Sequence, residues 1–66
     1  MIENEKELRH TYERLARAYR MREREAVEPL WSPELREDVV AGTDAFIRKL
    51  EKEVADYLAK QAERAA

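Results

Sequence analysis

The chain has 66 residues, of which 42% are charged, and it carries a formal net charge of −2, one glycine, two prolines and no cysteine. Ordering a chain of this length costs on the order of 100 kcal/mol of conformational entropy, and only nineteen large apolar side chains are present to offset that cost. The length therefore excludes a second domain and an enzyme that encloses a deep pocket with its own chain.

The cysteine content, the hydropathy and the net charge exclude further classes of protein. The lack of cysteine removes disulfides and thiolate zinc sites. No apolar run approaches the ~20 residues that cross a bilayer, and the opening residues 1–5 are acidic where a secretory signal is basic and then apolar. Thirteen Lys and Arg against fifteen Asp and Glu leave no global field that attracts nucleic acid. We expect a cytoplasmic protein without a membrane segment.

The first predicted helix spans residues 5 to 27. Asn4 and Glu7 have the spacing of a capping box at its start. Its apolar side chains recur at helical spacing within an arc of roughly 60°. These residues are Leu8, Tyr12, Leu15, Tyr19 and Ala26. Such a narrow stripe predicts one neighbouring helix.

A turn is predicted at residues 28 to 32, because both prolines lie within five residues of each other. Ser32 and Pro33 then form a typical helix start, with serine as the N-cap and proline in the first helical position. Trp31 has two interpretations. With Leu30 it folds back over the open end of the core, or it serves as an anchor for a partner protein.

The second predicted helix spans residues 33 to 63, and its apolar residues spread over about 140° in two ridges. One ridge holds Leu35, Val39, Phe46, Leu50 and Tyr57, and the other holds Val40, Ile47, Val54 and Leu58. Because the first helix covers only one flank, we predict that the flank of Val40, Ile47, Val54 and Leu58, with Trp31 in the turn, binds a partner.

Two details of this helix are open in the sequence. Gly42 either lies within one continuous helix or breaks it, which would give three helices. If the helix is continuous, its last turns extend past the start of the first helix, since it is about 12 Å longer at 1.5 Å per residue. Met1 and Ile2, at one terminus, and residues 62–66, at the other, are expected to fray.

No catalytic, cofactor-binding or metal-binding residue is predicted. Glu7 and His10 have the Glu-x-x-His spacing of di-iron bundles, but they point away from the apolar stripe and lack the further glutamates of such a site. The single histidine, His10, lies near the start of the first helix, whereas Ser32 follows the end of that helix. A serine nucleophile therefore has no base within reach. A single glycine cannot build a phosphate-binding loop.

An arginine strip is the one candidate for nucleic-acid binding. The first helix carries on one face Arg9, Arg17, Arg20 and Arg24. Such a strip is able to contact phosphates, and a dimer would present it twice. The other interpretation is a solvated face, because Glu13 interrupts the strip and Glu23 and Glu25 flank its end.

The residues 1–8, MIENEKEL, followed by an amphipathic helix, a Pro-bearing turn and residues 47–58, IRKLEKEVADYL, resemble a group of small bacterial helical-hairpin proteins. Some members of this group resemble antitoxins of toxin–antitoxin pairs, in which a DNA-binding domain follows the hairpin. This chain ends at Ala66 without such a domain. The resemblance therefore implies self-association or the holding of a partner, rather than repression.

Together these observations predict an all-α chain with a single domain over residues 1–66. The predicted fold is an antiparallel helical hairpin that pairs with a second copy into a four-helix bundle. The predicted function is a non-catalytic oligomerisation or protein-binding module, such as an antitoxin-like or accessory subunit. The alternative is a helical dimer that binds nucleic acid through its arginine strip.

Overall fold

The computed structural model describes residues 1–65, and Ala66 lies outside the described residues. Two helices, α1 (Glu5–Ala26) and α2 (Pro33–Ala65), make up most of this range, which contains no strand. The predicted all-helical fold is confirmed, and the predicted helix ends differ from the observed ones by one residue in α1 and two in α2. Within residues 1–65, neither helix has the apolar stretch needed to cross a membrane.

Both helix starts are capped by side chains, as the sequence predicts. The Asn4 side chain accepts a hydrogen bond from the Glu7 backbone N–H at 2.9 Å, and the Glu7 carboxylate accepts one from the Glu3 N–H at 2.9 Å. Ser32 Oγ accepts from the Leu35 N–H at 3.2 Å at the start of α2. These bonds satisfy amide donors that have no partner inside a helix, and they therefore fix where each helix begins.

Helix α2 runs without a break through Gly42, whose φ is negative. The continuous interpretation is confirmed and the three-helix alternative is wrong. A glycine inside a helix costs about 1 kcal/mol relative to alanine. Thr43, the next residue, and Ile47, about one turn later, are buried in the seam with α1, and this packing offsets the cost of the glycine.

The two helices are antiparallel: residues later in α2 are bonded to residues earlier in α1. Glu25 is hydrogen-bonded to Thr43, whereas Tyr19, nearly two turns earlier in α1, is hydrogen-bonded to Glu51. The hairpin is a rod whose Cα atoms extend over 51 × 17 × 14 Å. Its long axis matches the roughly 50 Å expected for the 33 residues of α2.

A single seam between the helices forms the core. The buried residues repeat at alternating steps of three and four, which is the spacing of two helices packed in a coiled-coil manner. They are Leu8, Thr11, Leu15 and Ala18 in α1, and Thr43, Ile47, Leu50, Val54 and Tyr57 in α2. The hydroxyl of Thr11 donates to the Glu7 carbonyl at 2.9 Å, so its burial leaves that polar group satisfied.

The predicted stripe of α1 is wrong at three of its five residues, because Ala26 is exposed at the end of the helix and two tyrosines lie beside the seam rather than in it. Tyr12 and Tyr19 are 48% and 45% exposed, and the seam instead passes through Thr11 and Ala18, each one position earlier. Small side chains on the seam let two helix backbones come close. A tyrosine on the flank covers the edge of the core with its ring and keeps its hydroxyl in a polar environment.

The start of the chain lies along the far end of α2, which extends past the start of α1 as predicted. Ile2 is buried, and it lines the same shallow concavity as Tyr57 and Lys60. The terminal ammonium of Met1 is 3.7 Å from a carboxylate oxygen of Glu53. The prediction that these first residues fray is therefore wrong, because Ile2 covers apolar surface that α1 is too short to reach.

Candidate interaction surface

One side of the hairpin carries polar bonds between the helices, and we call it the polar edge (Tyr19, Arg22, Asp44 and Glu51). The Tyr19 hydroxyl donates to the Glu51 carboxylate at 2.7 Å. Arg22 binds the Asp44 carboxylate through two guanidinium nitrogens. The hydrogen bond from Arg22 lowers the pKa of Asp44 below its ordinary value. The hydrogen bond to Glu51 raises the pKa of Tyr19.

Further apolar groups share this polar edge. Tyr12 precedes Tyr19 by seven residues and Leu58 follows Glu51 by seven, so each shares a helix face with a polar-edge residue. Both are about half exposed. Leu58 lies about 21 Å along α2 from Asp44, so a partner desolvates the Arg22–Asp44 pair only if it covers the polar edge along its whole length, and the penalty for doing so often exceeds the gain from burial of a charge pair.

The opposite side of the hairpin is apolar in the half nearest the turn, and we call that part the apolar edge (Met21, Leu35, Val39, Gly42 and Phe46). Leu35, Met21 and Phe46 are exposed and Val39 is half-buried. The guanidinium of Arg14 lies 5.5 Å from the centre of the Phe46 ring. Among residues 1–65, no ion pair joins the helices on this edge between Leu35 and Phe46. A partner can thus cover it without breaking a charge pair.

The turn exposes two large apolar side chains, because Leu30 is 90% and Val27 is 72% exposed. The prediction that Leu30 folds back over the core is therefore wrong. Trp31 is half-buried, and its carbonyl accepts from Nε of Arg36 at 3.3 Å and from a terminal guanidinium nitrogen at 3.2 Å. The indole is thus partly covered by its own chain, while Leu30 is free to meet another molecule.

The predicted partner-binding flank is wrong for two of its residues. Ile47 and Val54 are only 4% and 8% exposed, since they lie in the seam against α1. Val40 is half-buried, and Leu58 is exposed on the polar edge. The seam draws residues from both predicted ridges of α2, so it leaves an outer margin of each ridge uncovered rather than one whole ridge.

The arginine strip is exposed along its full length. Arg9, Arg17, Arg20 and Arg24 all lie on solvent-facing positions of α1. None of them takes part in a salt bridge within residues 1–65. These side chains can meet phosphates, although Glu13 and Glu23 are exposed beside them.

Residues able to perform catalysis do not converge. His10 is exposed on α1, and Ser32, whose hydroxyl caps α2, is beyond the far end of that helix, which extends roughly 24 Å past His10. Glu7 is committed to the Glu3 N–H. Within residues 1–65, no three His, Cys, Asp or Glu side chains are grouped so as to hold a metal ion.

Comparisons with known proteins return no relative: no protein-family model, no curated protein and no solved structure matches this sequence. The resemblance to antitoxin hairpins stays a prediction.

The exposed area is large for the size of the chain. A compact monomer of 7.8 kDa is expected to expose about 4400 Å². This chain exposes 5246 Å². The excess of about 850 Å² is close to the roughly 800 Å² that each partner buries in an interface of standard size. The shortage of large apolar side chains in the sequence predicts an uncovered surface, but it does not identify which edge of the hairpin is uncovered.

Proposed function

We propose that this protein is a non-catalytic, cytoplasmic association module whose hairpin pairs with a second copy to form a four-helix bundle. The main support is the exposed area of the chain, which exceeds that expected for a compact monomer of this mass. A rod of two helices has one seam only, and each helix therefore keeps most of its circumference in water. Pairing two rods side by side gives every helix a second neighbour, which is the arrangement of a four-helix bundle.

The exposed side chains support the same conclusion. Large exposed apolar patches, rather than scattered single residues, mark association surfaces. Leu35 and Phe46 of α2 and Met21 of α1 belong to one edge of the hairpin, and Leu30 and Val27 extend the apolar surface into the turn. A second copy is the simplest partner, because a two-fold axis lets the same patch serve on both chains.

Sedimentation equilibrium tests the proposal directly. Over a range of roughly 1 μM to 1 mM, the average mass should rise from 7.8 kDa towards twice that value. Far-UV circular dichroism at the same concentrations follows whether helix content rises with association. A mass that stays at 7.8 kDa throughout, with full helix content, would contradict self-association.

One observation favours a second candidate function, binding of nucleic acid through the arginine strip: all four arginines are exposed and outside any salt bridge in the described range. Four phosphate contacts per copy predict that log K falls against log salt with a slope of about −3.6. Binding of a duplex DNA measured by fluorescence anisotropy in 50 to 200 mM salt separates the two functions. Affinity that is absent or independent of salt eliminates the second.

A further inference from the structure

Gly42 has no role within the hairpin. It lies in the interior of α2 with a negative φ, and a Cβ added to it would meet nothing within 4 Å. Glycine weakens the interior of a helix relative to alanine. Neither a turn nor a close contact inside this chain requires the missing side chain. Space for the backbone of a second helix is a role that the missing side chain can fill, since small residues let helices approach closely.

Gly42 also lies within an apolar line along α2. Leu35, Val39, Gly42 and Phe46 follow one another at steps of four, three and four, the same spacing that forms the seam with α1. At 100° per residue this line lies about 75° around the helix from the seam. Neighbours in a square bundle of four helices lie about 90° apart around each helix. The line therefore faces the position of a second neighbour.

The charges beside the line set the direction of that neighbour. Asp38 and Lys49 lie along its outer margin, and neither makes a hydrogen bond or salt bridge within residues 1–65. Two parallel copies of α2 would place Asp38 against Asp38 and Lys49 against Lys49. Two antiparallel copies would place Asp38 of each chain near Lys49 of the other, which is favourable.

We propose that two copies of this chain pair through α2 in antiparallel orientation, with a two-fold axis beside Gly42. In this register Val39 of one copy lies against Phe46 of the second copy, and Asp38 of each lies about three residues, or about 4.5 Å along the helix axis, from the level of Lys49 of the other, a distance that a lysine side chain spans. The missing side chain of Gly42 lets the two helices approach closely at the axis. This inference rests on the proposed self-association, and it specifies the surface, the orientation and the register.

Charge reversal tests the register. Asp38→Lys and Lys49→Asp each place two like-charged pairs across the two-fold axis, and each should raise the dimer dissociation constant roughly 10-fold. The double variant restores opposite charges and should return to within about 3-fold of the original. The two residues are about 16 Å apart along the same helix, so coupling between them cannot arise inside one chain.

The close approach is tested at Gly42. A Gly42→Leu variant should dissociate at least about 30-fold more readily, because the added side chain holds the helices apart at their closest point. Ala41→Leu is the matched control: Ala41 is the exposed adjacent residue, it faces about 130° away from the line, and its substitution should change dissociation less than about 2-fold.

The results separate this inference from the proposed function. If the protein dimerises but the double charge variant gives no rescue, or Gly42→Leu dimerises as well as Ala41→Leu, the antiparallel pairing is overturned and self-association stands. If the unchanged protein is monomeric at every concentration, self-association itself is overturned. Rescue by the double variant together with a selective loss in Gly42→Leu supports the pairing.

Discussion

Two leucines of α2 provide a sharp test of which surfaces this hairpin buries. Leu50 is 1% exposed in the middle of the seam, whereas Leu58, two turns later, is 47% exposed. Replacing Leu50 with alanine removes buried methyl groups and leaves a cavity, at a cost of 2 to 5 kcal/mol in comparable cores, or about 3 kcal/mol here. Leu58→Ala loses about half of a burial energy near 2 kcal/mol, or about 1 kcal/mol, with no cavity.

These differences are large relative to the stability of such a chain. At 0.05 to 0.15 kcal/mol per residue, 66 residues have an unfolding free energy of about 3 to 10 kcal/mol. Leu50→Ala therefore removes between about a third and the whole of it. With a urea dependence near 1 kcal/mol per molar for a chain of this size, the unfolding midpoint falls by about 3 M for Leu50→Ala and about 1 M for Leu58→Ala.

The assay is urea unfolding followed by far-UV circular dichroism, with all proteins at one concentration because a dimer's stability depends on it. Equal midpoint shifts for the two variants would refute the assignment of the seam. If the Leu58→Ala shift were small in dilute protein and approached that of Leu50→Ala in concentrated protein, the polar edge would be the one that a second copy covers. That result would contradict pairing through the apolar edge.

Two further predictions concern polar groups. Because Arg22 lowers the pKa of Asp44 in the folded chain, this carboxylate stabilises the fold at pH values above its ordinary pKa of 3.8, and the contribution is lost as pH falls through the lowered value. Asp44→Asn should thus unfold in less urea than the original protein at pH 7, and the difference should shrink as the pH falls below 3.8 and through the lowered pKa of Asp44; a constant difference would contradict the ion pair. Asn4→Ala should cost about 1 kcal/mol by loss of the cap to Glu7, measured as a lower thermal midpoint, whereas Asn4→Asp should retain most of the stability.

Local chemistry made the helix boundaries predictable from the sequence. Asn4, Ser32 and the two prolines act on their own neighbours along the chain, so their effects do not depend on where the second helix lies. The continuity of α2 through Gly42 depends on packing against α1 on the far side of that residue. For this reason the sequence left two alternatives open, and the structure was needed to choose between them.

The seam was harder to predict because hydrophobicity does not say which of two adjacent residues faces the neighbour. Tyr12 and Tyr19 are larger and more apolar in area than Thr11 and Ala18, yet the smaller residues occupy the seam. Helix separation decides the outcome beside Thr11 and Ala18, where small side chains bring the backbones close, whereas the ring of Tyr57 is accommodated at the last buried position of the seam in α2. Ile47 and Val54, which the sequence placed on the outer flank, also lie in the core.

The two edges of the hairpin differ in a way that limits how many copies associate. On the polar edge the Arg22–Asp44 pair and the Tyr19–Glu51 hydrogen bond already join α1 to α2, and covering them would remove charges from water. On the apolar edge, no ion pair of residues 1–65 joins the helices between Leu35 and Phe46, although the guanidinium of Arg14 lies beside the Phe46 ring. A rod that could associate through both edges would form an open assembly of many copies. A rod that associates through one edge, related to itself by a two-fold axis, forms a closed dimer, because that edge is buried on both copies when they pair. The asymmetry between the edges therefore favours a closed dimer over an open array.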